Sequence, residues 1–194
     1  MENDIQYVFL TAGTETKFRI LHGIDRPINS MTVGKICENC HISRPTFYAH
    51  FDSKYSIPFW LFDLASDLYL VQIGRTITWD RGIHGFFSFL YGERAHLQNA
   101  FIDNPDRMEV ESRLQGRRNK IIETLRSYKN LEPDDTLLFF VEHFVNCGNL
   151  LATEWCIKGM KTDPATFAKL FTACMPAELI NVLNQGLPVR TGKA

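Results

Sequence analysis

The sequence carries almost no excess of charge. Its 21 Lys and Arg residues are set against 22 Asp and Glu, a formal net charge of −1 over 194 residues. This excludes a chain that holds nucleic acid or an anionic membrane by overall basicity; any such partner must be met by charges in particular places. Residues 1–55 are balanced too, with Lys17, Arg19, Arg26, Lys35, Arg44 and Lys54 offsetting Glu2, Asp4, Glu15, Asp25, Glu38 and Asp52. No apolar run reaches membrane-spanning length. Glu2 and Asp4 stand where a secretory signal would place basic residues, so we expect a cytoplasmic protein with no membrane partner. Cysteine is limited to five residues without framework spacing, which reads as reduced thiols, mostly buried. The nucleophile elbow, H-E-x-x-H, P-loop and G-x-G-x-x-G motifs are all missing, and with them any sequence case for an enzyme or a cofactor. Strand signals, repeats and low-complexity segments are scarce or absent.

What is present is helical periodicity over a 45% hydrophobic chain with 15 Phe. A chain of this length can bury about 70% of its unfolded surface. The expectation is an all-α protein of about nine helices: a three-helix helix-turn-helix head over 1–56 and a larger helical body over 57–194. The first helix covers Thr14 to Ile24, with Phe18, Leu21 and Ile24 inward, and Arg26-Pro27 ends it. Thr32 is an N-cap candidate for a short second helix with Val33, Ile36, Cys37 and Cys40 inward. A tight turn falls at His41-Ile42. Ser43 caps a third helix in which Pro45 is tolerated in the first turn. Asp52 and Ser53 can cap a fourth helix running to Gly74.

The body is aromatic. Helical segments are expected at Asp80–Arg94 and His96–Ile102, and an amphipathic one at Asp106–Tyr128 with Leu114, Ile121, Leu125 and Tyr128 on one stripe. Pro133-Asp134-Asp135 opens a long helix to Lys158, stopped by Gly159. Its apolar residues include Leu137, Leu138, Phe140, Val141, Phe144, Val145, Leu150, Leu151 and Trp155. They surround the axis and predict burial on every side. Gly148 and Ala152, four apart, permit a close helix approach. Asp163-Pro164 opens a further helix that Pro176 interrupts, and the tail from Gly186 to Ala194 is expected to fray.

Ser43 to Lys54 carries most of the functional signal. Phe47 and Phe51, four residues apart, share an inward face. Thr46 and His50 share a second face, and Arg44 and Tyr48 a third. Short helix, tight turn, short helix is the plan in which the second helix enters the major groove. Arg44 can pair bidentately with guanine. Thr46, Tyr48 and His50 suit phosphate or base contacts, and Lys54 brings a point charge to a helix N-terminus that already favours phosphate.

Met31-Thr32-Val33 with Ile36-Cys37, then Ile42-Ser43, Thr46-Phe47-Tyr48, His50-Phe51 and Lys54, resemble the signature of the tetracycline-repressor (TetR/AcrR) family. Arg26-Pro27-Ile28 resembles the turn before it, so the likeness spans about Arg26–Trp60. The resemblance implies phosphate roles for Thr32, Thr46, Tyr48, His50 and Lys54. It places Arg44, Pro45 and Ala49 where that family reads bases, with Ser43 beside them as the cap. It further implies a transcriptional regulator, most readily a repressor: a homodimer joined through Pro133–Lys158 and Asp163–Asn184, on a palindromic double-stranded operator, released by a small-molecule effector of unknown identity. Three residues depart from the pattern. His41 replaces the turn glycine and has to adopt a left-handed conformation. Gly34 weakens the second helix. Pro58 delays or kinks the fourth.

Two sharper readings compete with plainer ones. Cys37-Glu38-Asn39-Cys40-His41 spells the c-type haem attachment motif, but it falls across the helix-turn-helix core and has no export signal. No second ligand pair supports zinc either. The aromatic body suggests an effector pocket built from Trp60, Phe62, Trp79, Phe86, Phe89, Phe101 and Phe139, with His96, His143 and Asn146 as polar contacts; the plainer reading is that these rings fill the core. A body that binds a protein partner, acting as a co-regulator, is the alternative to a ligand-responsive one.

Overall fold

In the computed structural model, residues 12–104 and 111–186 are described. The tail after Gly186 and the start expected at Asp106 for the amphipathic helix lie outside them. The protein is all-α: the described residues form ten α-helices and no strand. They divide into two compact units, residues 12–61 with 93–104, and residues 62–92 with 111–186.

In the first unit α1 spans Ala12–His22 and buries Ile20 and Leu21. A single 3-10 turn at Ile28–Ser30 leads into α2, Val33–Asn39. Thr32 caps α2 as expected, its hydroxyl accepting the Lys35 N–H at 3.1 Å. The turn that follows needs a positive φ to reverse the chain, and His41 supplies it at 54°. Ser43 then caps α3, Arg44–Tyr48, accepting the Thr46 N–H at 3.1 Å with Pro45 in the first turn.

The fourth helix differs from the sequence expectation at both ends. Ser53 caps only a 3-10 turn, Lys54–Ser56, and α4 begins at Ile57 and runs to Ala65. Pro58 therefore falls in the first turn, where its missing N–H has no intrahelical partner to lose, and the helix starts late. From Ser66 to Leu70 the chain winds as a π-helical turn, with Val71 N–H donating to Ser66 O, and the helix does not continue to Gly74. The first unit is completed by α6, Arg94–Phe101, whose Leu97, Ala100 and Phe101 are buried.

The second unit holds α5 (Trp79–Gly92), α7 (Glu111–Lys129), α8 (Asp135–Ile157), α9 (Pro164–Ala173) and α10 (Ala177–Asn184). Its core is ring on ring. Phe87 meets Trp155, Phe167 and Phe171 edge-on, and Trp155 stacks on Phe167 with centroids 4.7 Å apart. Trp79 is fully buried and satisfies its indole N–H on Thr172 at 3.0 Å. A side chain at Gly148 would sit 3.1 Å from the Phe171 ring, so the close approach expected there is made by α9.

Burial of α8 on every side, expected from its composition, is not what the chain shows. Phe139 is 64% exposed and Leu150 60%, with Leu138 also open to solvent. Residues 139 and 150 are eleven apart, close to three helical turns, so they share one face. The helices of the unit cover the opposite side, where Leu137, Val141, Phe144, Val145, Gly148, Ala152 and Trp155 are buried. The thiols also divide: Cys37, Cys40 and Cys156 are buried, whereas Cys147 is half-buried and Cys174, at the end of α9, is exposed.

Candidate functional site

The recognition segment is anchored by its apolar pair. Phe47 is fully buried and Phe51 nearly so; truncating such a ring costs about 3–5 kcal/mol. With that side held, the rest of α3 faces outward. Ser43, Arg44, Pro45, Tyr48 and Ala49 are exposed, and Thr46 and His50 are half-exposed. Tyr48 leans edge-on against Phe47, centroids 5.4 Å apart, which fixes its ring while leaving it 55% exposed. The Ser43 and Thr46 hydroxyls bond each other at 2.8 Å, so part of their capacity is spent on the cap. Thr32 is exposed at the start of α2.

Charge on this surface is sparse and placed. Lys35 pairs with Glu38, and Arg26 with Asp25. Arg44 makes no ion pair among the described residues. Its guanidinium lies across the first turn of α2, where a Cβ at Gly34 would fall 2.6 Å from its Nη atom. Gly34, an oddity in the sequence, is thus the residue that gives Arg44 its room.

Lys54 is placed differently from a free phosphate-binding charge. Its ammonium donates to Ile28 O at 2.8 Å and to Met31 O, with Asn29 O at 3.5 Å and the Tyr55 ring beneath it. Tyr55 adds a hydroxyl bond to Asn29 Oδ1 at 2.9 Å. Together they tie the start of α4 to the turn that precedes α2. The lysine is legible in the sequence; the backbone carbonyls that compete for it are not.

The overlapping C-x-x-C-H lies inside the packing of α2. Cys40 Sγ donates to Ile36 O at 3.0 Å, and burial pushes both the Cys37 and Cys40 thiols up from their ordinary range. Buried, protonated sulfurs are core residues, not attachment points.

The residues expected to form an effector pocket are scattered. Trp60 packs on Phe18 and Phe51, Phe101 on Phe59, and His96 bonds Ile24 O at 3.2 Å, all within the first unit. In the second unit Trp79 is core, Phe89 leans on Tyr69, Phe139 is exposed, His143 lies 3.6 Å from Cys147, and Asn146 accepts from Arg118 at 2.6 Å. Phe62 and Phe86 do meet, and both line a cavity of about 40 Å³. The other walls include Leu70, Ile83, Phe144 and Phe171, with Ser66, Arg117, Lys120 and Asn149 supplying polar groups. Arg117 and its neighbour Arg118 interrupt the apolar stripe of α7 between Leu114 and Ile121. That interruption is the trace the cavity leaves in the sequence.

Arg117 is the electrostatic centre of this cavity. Burial pulls its pKa down, against the Asp63 carboxylate that holds it up at 3.0 Å. Asp63 is shared with Arg113, and Asp67 pairs with Lys120. Arg117 also donates to Asn149 Oδ1 at 3.2 Å. The buried Nε–H groups of Arg117 and Arg118 have no acceptor among the described residues.

A capped short helix, a left-handed turn and an outward-facing second helix make a helix-turn-helix, the plan of a DNA-binding transcriptional regulator. Residues 24–57 match the family model described as bacterial regulatory proteins, tetR family, and the head of this chain is a tetR-family DNA-binding domain. No curated protein matches the chain.

Proposed function

We propose that the chain is a ligand-responsive repressor that binds a palindromic operator as a homodimer in the cytoplasm. Residues 1–56 form the reading head, and residues 57–194 the effector-binding and dimerisation body. The reading is carried by α3, capped, anchored by Phe47 and presenting an exposed arginine that makes no ion pair among the described residues. In this reading Arg44, Pro45 and Ala49 face base edges, and Thr32, Ser43, Thr46, Tyr48 and His50 meet phosphates. Lys54 acts chiefly through the turn it holds.

The dimer is assigned to Pro133–Lys158 and Asp163–Asn184, packed against their symmetry mates as a four-helix bundle. The open apolar residues Phe139, Leu150 and Leu170 support this assignment. Two-fold symmetry then sets the recognition helices about 34–36 Å apart, or a multiple of that. An effector in the second-unit cavity favours a state whose heads no longer fit the operator, by its differential affinity for the two states.

Genome-wide mapping of bound sites, followed by footprinting with purified protein, tests the reading. Inverted half-sites with centres one or two helical turns apart are expected. Binding with no sequence preference, or a single unpaired half-site, would overturn it.

A further inference from the structure

We propose that the cavity of the second unit takes a neutral, apolar ligand of about one ring in size and rejects ionised analogues of the same shape. This rests on the reading of that cavity as the effector site, and adds the chemistry of the ligand.

The charges at the cavity are already committed. Among the described residues, only Arg117 and Lys120 bring charge to its lining. Arg117 donates to Asp63 at 3.0 Å through one Nη and to Asn149 at 3.2 Å through the other. Lys120 is paired with Asp67. Neither Asp63 nor Asp67 lines the cavity. An anionic ligand would therefore have to draw Arg117 from Asp63, or Lys120 from Asp67. A cationic ligand meets two like charges in the wall and no carboxylate. Taking an ion out of water without a partner of its own is costly, and a neutral ligand escapes that cost.

Most of the remaining lining is apolar. Phe62 and Phe86 meet edge to face with centroids 5.9 Å apart, and Phe144 and Phe171 do the same at 6.2 Å. Such walls give water few hydrogen bonds, and cavities lined by Leu, Ile and Phe accept apolar guests. Ring faces and ring edges are both on offer, which suits an aromatic guest.

Size sets the upper limit. The cavity measures about 40 Å³, whereas an apolar cavity of about 150 Å³ is known to hold benzene. One ring enters only when a wall yields, and anything larger asks more of the core. The four phenylalanines are buried, but Leu70 and Val71 are half-buried. These two lie at the end of the π-helical turn and just beyond it, in a kind of turn that recurs at functional sites. They form the edge that can move with least loss of packing. Ala152, 1% exposed, is a small residue of the α8 wall and marks where added side-chain volume would fill the cavity.

The test uses the full-length protein with three probes of one shape at pH 7: toluene, benzoate and benzylamine. Binding is read by calorimetry and thermal shift, and operator affinity is measured in the same samples. Toluene is expected to bind about tenfold or more tighter than either charged probe. Ala152→Val should weaken toluene about tenfold while circular dichroism shows the fold retained. Leu70→Ala, at the half-buried edge, opens the cavity instead and should shift preference from toluene towards propylbenzene, so the reading does not hang on one variant. Charged probes that bind as tightly as toluene, toluene affinity unchanged in both variants, or no binding by any probe overturns the proposal. Preferential toluene binding that leaves operator affinity unaltered supports the ligand class and refutes the ligand-responsive reading.

Discussion

Replacing Lys54 by Met separates two roles for this residue. The substitution keeps an apolar stem of similar reach and deletes the ammonium. In the structure that ammonium satisfies Ile28 O and Met31 O, and lies over the Tyr55 ring at 4.8 Å. Hydrogen bonds from a charged donor are worth about 1.5–3 kcal/mol each. Lys54 is half-exposed, so water recovers part of this, and Ile28 O keeps the Met31 N–H. The expected loss is about 1–3 kcal/mol, from the head. It should appear as a lower urea midpoint for the phase that reports the head, and as faster amide exchange at Met31 to Ile36. Operator affinity should fall, but the slope of log K against log salt should stay within a few tenths of its wild-type value, because no phosphate contact is removed. A bound phosphate contact contributes about 0.9 to that slope. Unchanged stability with a slope reduced by about one would refute the assignment and show the ammonium on the DNA.

Other substitutions probe the remaining parts. Arg44→Ala should relax preference at one base position in each half-site by about 1–3 kcal/mol, read by competition against single-base operator variants. Gly34→Ala adds a methyl where the Arg44 guanidinium now lies and should alter preference at that same position; a shift elsewhere, or none, would uncouple the two residues. Phe139→Glu combined with Leu150→Glu places charge on the open face of α8 and should yield monomers in sedimentation, with operator affinity lost and the helical spectrum kept. Asp163 caps α9 by accepting the Thr166 N–H at 3.0 Å, and these bonds hold its carboxyl below the ordinary value of 3.8. A depressed folded-state pKa contributes stability above 3.8 that disappears as pH falls through the lower, folded value. Wild type should therefore exceed Asp163→Asn in thermal stability at pH 6, and the gap should close on acidification; a gap constant with pH would contradict the cap's ionic character.

Much of the head was legible because its determinants are local. Thr32 and Ser43 are caps three residues from the N–H groups they accept, His41 is one residue in a left-handed turn, and Phe47 with Phe51 is an i, i+4 pair. Short-range rules read such features directly from spacing. The long helices of the body were also legible in type, though α4 was not in length: Ser53 caps a 3-10 turn, and Pro58 defers the α-helix to Ile57.

Partners far apart in sequence were decided by tertiary structure alone. Lys54 is drawn to carbonyls more than twenty residues upstream, Gly34 matters because Arg44 crosses it, and Arg117 meets Asp63 more than fifty residues away. The charged side of α7 reads in sequence as a solvated face, and becomes the polar wall of a cavity once α4 and α8 pack against it. The sequence by itself determined helix, cap, turn and recognition face, since these depend on neighbours within one turn. Which charges are buried, and which rings line a cavity rather than fill a core, depended on which distant helix arrives, because desolvation is set by everything that packs around a group.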